Sequence, residues 1–351
     1  MRRFLLIAAL LLCPLAKAQT TTYTYQATGC SGSCSLYYYA AASGAATAPV
    51  IVYVPGGAYE NPPDSLCINT NPSLIGLNTC PEVTDWTNHG YDVYAVRYPV
   101  YGDTGNPQWP TMGQGVACAL SYSVTNSLAG NWNNVTMVID SAGSSGAVVA
   151  MAPVGKYLTD GNSTCASSNT SWTITSLYMN SGTACMSNAT NCYCNSPGVV
   201  RCINIFGGDP TSSGPAELLA VDASLTNWVT SWVAKGAFPI TMVTTTADGT
   251  VPSSNQALLP AATAAAGHPI TQALFTNYNH LMDMGLLKTA CPSSVCTWPI
   301  SLQTAAYYTT PNCLNSATTC NLAGEVDRVF NAAMYPRGAS AAGGSGAAGG
   351  S

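Results

Sequence analysis

The chain has 351 residues, enough to bury one sizeable core, and carries a formal net charge of −5 with only 7% charged residues. An acidic chain without a basic cluster is a poor match for nucleic acid or an anionic membrane, so neither is expected as a partner. Fifteen cysteines point to an oxidising compartment and a disulfide framework.

The first segment, "MRRFLLIAALLLCPLAKAQ", has two arginines, an apolar run and then Ala16-Lys17-Ala18. Residues 1–18 read as a secretory signal cut before Gln19. The apolar run of about eleven residues is well short of the roughly 20 a membrane span needs. Losing Arg2, Arg3 and Lys17 lowers the formal charge from −5 to −8, and losing Cys13 leaves fourteen cysteines. The expected location is secreted, or periplasmic in a bacterium.

Further along, "PVIVYV" (49–54) is a nearly continuous apolar run, the mark of a parallel strand covered on both faces. "YDVYAVRY" (91–98), "NVTMVI" (134–139), "VVRCINIF" (199–206), "PITMVTTT" (239–246) and "TQALFTN" (271–277) read the same way. Between them, 111–127, 144–157, 215–235 and 253–266 read as helices. This alternation predicts one α/β domain over 19–336, with a mostly parallel central sheet and helices on both faces.

Residues 159–198 break the alternation. They are rich in Ser, Thr, Asn and Cys, and read as a disulfide-pinned insertion, either a wall over the site or a stapled surface loop. Residues 337–351 form a Gly/Ala/Ser-rich flexible tail. Short-range disulfide candidates are Cys30–Cys34, Cys67–Cys80, Cys291–Cys296 and Cys313–Cys320, with Cys118 a candidate buried free thiol. Cys192 and Cys194 have the wrong spacing for a zinc knuckle, so no metal is expected. Sequons stand at Asn134, Asn162, Asn169 and Asn188, of which Asn134, leading into an expected buried strand, is the least favourable.

Ligands in such sheets sit beyond the carboxyl ends of the strands, so the residues that follow each strand matter most. "PGGAY" (55–59) follows the first apolar run. Two glycines there allow backbone N–H groups to turn toward a ligand. "DSAGSSG" (140–146) follows "NVTMVI" and offers Ser141, Ser144 and Ser145. A strand-to-helix turn that exposes a nucleophile needs small residues two before and two after it. Ala142 and Gly146 suit Ser144, whereas Ile139 is a misfit for Ser141. Strand placement favours Ser141, because Ser144 at the tip would drag Asp140 into the buried strand. Asp248 follows "PITMVTTT" in a turn, and His280 follows "TQALFTN". His89 and His268 both precede strands, which leaves His280 as the general base. Ser, Asp and His after three separate strands, in that order, point to nucleophilic acyl transfer.

With these motifs in place the chain resembles the carboxylesterase/lipase group of the α/β-hydrolase superfamily. "NVTMVIDSAG" is similar to that group's strand and G-D/E-S-A-G turn, and "VYVPGGAY" to its strand and H-G-G-G loop. "VYAVRYPV", "TMVTTTADGTVP" and "NYNHLMD" resemble its Tyr-Arg strand, acid turn and histidine loop. The resemblance runs from about Ala48 to Leu286. It implies Ser141 as nucleophile, His280 as base, Asp248 as the residue orienting His280, and oxyanion donors on Gly57, Ala58 and Ala142. It departs from the group at Pro55, Ala58 and Ile139, which replace a histidine and two glycines. No cofactor or metal is implied. The substrate implied is a small or polymer-borne carboxylic ester; the rival expectations are a serine peptidase of the same fold and a non-catalytic binding protein.

Overall fold

The computed structural model describes residues 20–29, 34–56, 59, 86–87, 89–140, 144–160, 165, 171–195, 199–234, 238–245, 248–268 and 270–275. Eight strands form one sheet: β1 Thr20–Thr24, β2 Ser35–Tyr39, β3 Pro49–Pro55, β4 Asp92–Arg97, β5 Asn131–Asp140, β6 Ile174–Asn180, β7 Ile240–Thr245 and β8 Thr271–Phe275. Their order is β1-β2-β4-β3-β5-β6-β7-β8. β1 and β2 are antiparallel additions at one edge, and every pairing from β4 to β8 is parallel.

β3, β4 and the central part of β5 are buried at consecutive positions, which alternate in direction along a strand. Both faces of the sheet centre are therefore covered, as the continuous apolar runs require. On one face Val52, Val54, Val96, Met137, Ile139 and Met179 share a core with helices α1 (Thr111–Thr125) and α2 (Ser144–Asp160). On the other, Ile51, Tyr53, Val93, Val138 and Tyr178 are buried, and Trp86 packs against Tyr53 at a ring distance of 5.6 Å.

Three expectations need correction. "VVRCINIF" is not a strand but helix α3 (Val199–Phe206). Its buried residues, Cys202, Ile205 and Phe206, follow the i, i+3, i+4 spacing of a helix, while Val200 and Ile203 face solvent. The segment 159–198 is not wholly an insertion: it supplies β6, paired on both sides within the sheet centre. Its apolar signal, Leu177 to Met179, is short and flanked by polar residues. Cys118 is not a free thiol but bonds Cys165, tying α1 to the segment before β6.

Two further disulfides, Cys185–Cys192 and Cys194–Cys202, staple the connection from β6 to α3 and occupy the "CYC" sulfurs. Cys34 is also disulfide-bonded. The pairs Cys67–Cys80, Cys291–Cys296 and Cys313–Cys320 lie outside the described residues, as do the signal segment and the tail. The expected helix 215–235 is divided into α4 (Pro215–Ala223), a short 3-10 turn (Leu225–Asn227) and α5 (Val229–Ala234). The break falls at Ser224, which is extended and accepts the Met186 N–H on its hydroxyl at 2.8 Å. Helices α6 (Ser253–Gln256) and α7 (Leu258–Ala265) fill 253–266. No described helix is long and apolar enough to cross a membrane.

Candidate active site

The parallel strands end along one rim. Pro55 on β3 pairs with Asp140 on β5, and Ile139 pairs with Met179 on β6. Asn180 pairs with Val243 on β7, which pairs with Ala273 on β8. Gly57, Ser141, Asp248 and His280 all follow this row in the chain. With neighbouring strands about 4.8 Å apart, β7 lies roughly 10 Å from β5, a span a histidine between serine and aspartate would bridge. Of the expected site residues, Asp248 is described; Ser141, Ala142, Gly57, Ala58 and His280 lie outside the described residues.

β5 runs through Asp140 and α2 begins at Ser144, so residues 141–143 connect strand to helix at the sheet centre. Ser144 is the first helical residue. The first turn of α2 lies unusually close to the rim. A Cβ on Gly146 would stand 2.7 Å from the Pro55 carbonyl oxygen and 3.1 Å from that of Val54. A Cβ on Gly182, just past β6, would run into Met179 and stand 2.9 Å from the Ala147 Cβ. Gly146 thus lets the helix backbone meet the backbone of β3, and Gly182 leaves room for the side chains of Met179 and Ala147, where a helix starts beside two strand ends. Ile139, the misfit of the motif, is fully buried within β5 and its sheet pairing.

Asp248 sits in the turn after β7 and is 8% exposed. One carboxylate oxygen accepts the N–H groups of Thr250 and Val251, each at 2.8 Å. The other accepts Gln256 Nε2 at 2.8 Å, and the same amide donates to the Val251 carbonyl at 2.7 Å. The aspartate is thus a turn residue and an oriented carboxylate at once. Its supporting glutamine, buried on α6, has no distinguishing mark in the sequence. Next to it, Asn255 holds the stapled loop: it accepts from Ala184 N–H and donates to the carbonyls of Cys185 and Asn191. Acid turn and disulfide loop are therefore fixed by adjacent residues.

The loop leaving β3 is held from below. Tyr98 donates its hydroxyl to the Pro55 carbonyl at 2.8 Å, with the Gly56 carbonyl at 3.4 Å. Burial pushes the Tyr98 hydroxyl up to about 12, with the neighbouring Ser145 hydroxyl and Arg97 charge opposing. Ser145 Oγ lies near Tyr98 but makes no bond of good geometry. Arg97 donates to the Tyr98 carbonyl and grips Asp103 with both arms of its guanidinium, at 2.8 and 2.6 Å. Tyr59, four residues beyond β3, has φ +66° and donates its hydroxyl to Met186 Sδ at 3.4 Å, which joins this position to the stapled loop after β6. His268, set aside as preceding a strand, indeed lies at the opposite end, with Nε2 at 2.6 Å from the Phe238 carbonyl before β7.

No family model matches the chain, and no curated protein does. Solved structures do. Esterase 2 of the planctomycete Thermogutta terrifontis with bound propionate superposes with a TM-score of 0.51 at 15% identity, over 74% of this chain and 84% of that one. The same esterase phosphonylated by sarin gives 0.54 at 15%, over 75% and 85%. A truncated carbohydrate esterase from gut microbiota gives 0.55 at 16%, over 76% and 91%. At this identity the likeness establishes the architecture: the chain has the α/β-hydrolase fold that these esterases share.

Proposed function

We propose that the protein is a secreted serine hydrolase that cleaves carboxylic esters. Ser141 is the nucleophile, His280 its general base and Asp248 the residue that orients His280. Backbone N–H groups of Gly57, Ala58 and Ala142 receive the oxyanion. The observation that carries this reading is the Asp248 carboxylate, buried at the rim and held by three N–H donors, on a sheet whose central strand leads directly into Ser141.

In the first half-reaction His280 takes the Ser141 proton as the hydroxyl attacks the ester carbonyl, and the returned proton leaves with the alcohol. In the second, water attacks the acyl-enzyme and the serine is regenerated. The oxyanion N–H groups stabilise both tetrahedral intermediates, each donor by about 3–4 kcal/mol when buried from water. The esterase identity of the structural neighbours and the disulfides support an extracytoplasmic ester hydrolase. A fluorophosphonate probe and peptide mapping test the assignment. A label on Ser141 that disappears in His280→Ala is the expected result. A label on Ser144 moves the nucleophile by three residues, and no label with no turnover of p-nitrophenyl esters favours a binding protein on this scaffold.

A further inference from the structure

We propose that Gln256 is the positioning residue of the Asp248 carboxylate, a role that rests on the esterase reading above. A residue that orients a catalytic base has to present its carboxylate in a fixed plane. One anchored oxygen does not achieve that, because the group can still pivot about it. The turn after β7 supplies one anchor: Asp248 Oδ1 accepts the N–H groups of Thr250 and Val251, each at 2.8 Å. Those two bonds complete the Asp-Gly turn and need nothing from the other oxygen. Gln256 supplies the second anchor, with Nε2 at 2.8 Å from Oδ2. With both oxygens held, the plane of the carboxylate is set.

The amide is itself fixed in one orientation. Nε2 donates to Asp248 Oδ2 and to the Val251 carbonyl, and both partners are acceptors. Turned over, the amide would set its own carbonyl oxygen against a carboxylate and a carbonyl. The backbone that carries it is held as well. Asn255 and Gln256 donate their N–H groups to the Pro252 carbonyl at 2.8 and 3.1 Å. The Asn255 side chain locks α6 to Ala184, Cys185 and Asn191 in the loop that Cys185–Cys192 closes. The remaining side-chain atom points to function rather than stability. Gln256 is fully buried, and its Oε1 has no hydrogen-bond partner among the described residues. A buried acceptor left unpaired is destabilising, and an apolar side chain of the same length would avoid it. What the glutamine brings in return is a neutral donor to a buried carboxylate.

The test is Gln256→Met in the full, disulfide-intact chain, with p-nitrophenyl acetate as substrate and circular dichroism to confirm folding. Methionine fills the space without a donor. Freed of its second anchor, the carboxylate pivots, and kcat is expected to fall about 20-fold with KM within about twofold. Removing the donor also leaves more negative charge on the carboxylate to favour the protonated base, so the acid limb of kcat/KM moves to higher pH. A merely structural glutamine would lower the melting temperature and leave kcat and the acid limb of the folded enzyme where they were. Both changes are required: a folded variant that lacks either one overturns the proposal while leaving the esterase reading standing. If Gln256→Met does not fold, Gln256→Glu keeps the shape and donates to Asp248 only while protonated. Its activity relative to wild type is expected to fall as pH rises from about 5 to about 10, and a constant ratio overturns the proposal. A wild-type protein that neither turns over the ester nor takes the fluorophosphonate label removes the esterase reading and this role together.

Discussion

Asp92 and Asp248 are both buried beside the sheet, 3% and 8% exposed, yet they stand at opposite ends of it. Asp92 opens β4 at the amino edge. One of its oxygens accepts the Ala41 N–H at 2.9 Å and the Tyr38 hydroxyl at 3.0 Å, tying β2 and its exit to β4. Asp248 closes β7 at the carboxyl edge, where one oxygen builds its own turn and the other meets Gln256. Burial and hydrogen bonding alone do not distinguish a staple from a catalytic group. The role proposed for Asp248 rests instead on its end of the sheet, where parallel strands deliver the ends of β3, β5, β7 and β8 to one rim.

Activity should separate the two aspartates most sharply. Asp248→Asn is expected to cost about 10⁴ in kcat by leaving the base in the wrong tautomer, and Ser141→Ala at least as much. Asp92→Asn should stay within about twofold of wild type. Hydrolysis of p-nitrophenyl butyrate by the three purified variants measures this. Equal losses at the two aspartates would remove the distinction between the ends.

The edge on which Asp248 lies was legible from the sequence because residue type and strand order coincide there: an acid after one strand and a histidine after the next are visible without any structure. β3, β4, β5 and β7 were legible too, since strands buried on both faces leave continuous apolar runs, whereas β8, at the sheet edge with Thr271 and Gln272 exposed, showed itself by the shorter apolar run Ala273 to Phe275. β6 was not, because only Leu177 to Met179 carry its signal, and polar Asn, Ser and Thr surround it. α3 was misread because "VVRCINIF" is β-branched at every turn, and only the helical spacing of Cys202, Ile205 and Phe206 tells which set is inside. Tyr98 and Gln256 left no trace as supporting residues, because a buried hydroxyl or amide acquires its role from partners distant in the chain.

A third acid, the partly buried Asp103, sharpens the comparison on the carboxyl side. Its side chain and that of Arg97 are 9% and 6% exposed, and the pair is bidentate. Asp103→Ala leaves the guanidinium buried without its partner, and a loss of about 3–5 kcal/mol is expected in urea unfolding. A loss under about 1 kcal/mol would mean that Arg97 finds water or another acceptor. Next in size is Gly146→Ala. Its Cβ would meet the Pro55 backbone rather than a yielding side chain, so a destabilisation of about 1–3 kcal/mol is expected, together with reduced kcat. Full stability in that variant would show that the helix start can retreat from the strand end.

The smallest effect is the dependence of stability on pH, and here Asp92 and Asp103 should differ in sign. Burial raises Asp92 above the ordinary carboxyl value, only partly offset by the Ala41 N–H and the Tyr38 hydroxyl. The folded protein then binds the proton before the unfolded chain does as pH falls. The stability this contributes is complete below the unfolded value of about 3.9 and is lost as pH rises through the higher folded value. Burial would raise Asp103 as well, but the Arg97 and Val100 donors outweigh it and hold the carboxyl low. Its contribution is therefore present above the unfolded value and lost as pH falls through the folded one. Melting temperatures of wild type, Asp92→Asn and Asp103→Asn between pH 3 and 7 expose both trends. Asp92→Asn should gain on wild type as pH rises, whereas Asp103→Asn should fall further behind. A gap between Asp92→Asn and wild type that does not change with pH would mean that Asp92 is as easily ionised in the fold as in the open chain, and that its two donors offset its burial in full.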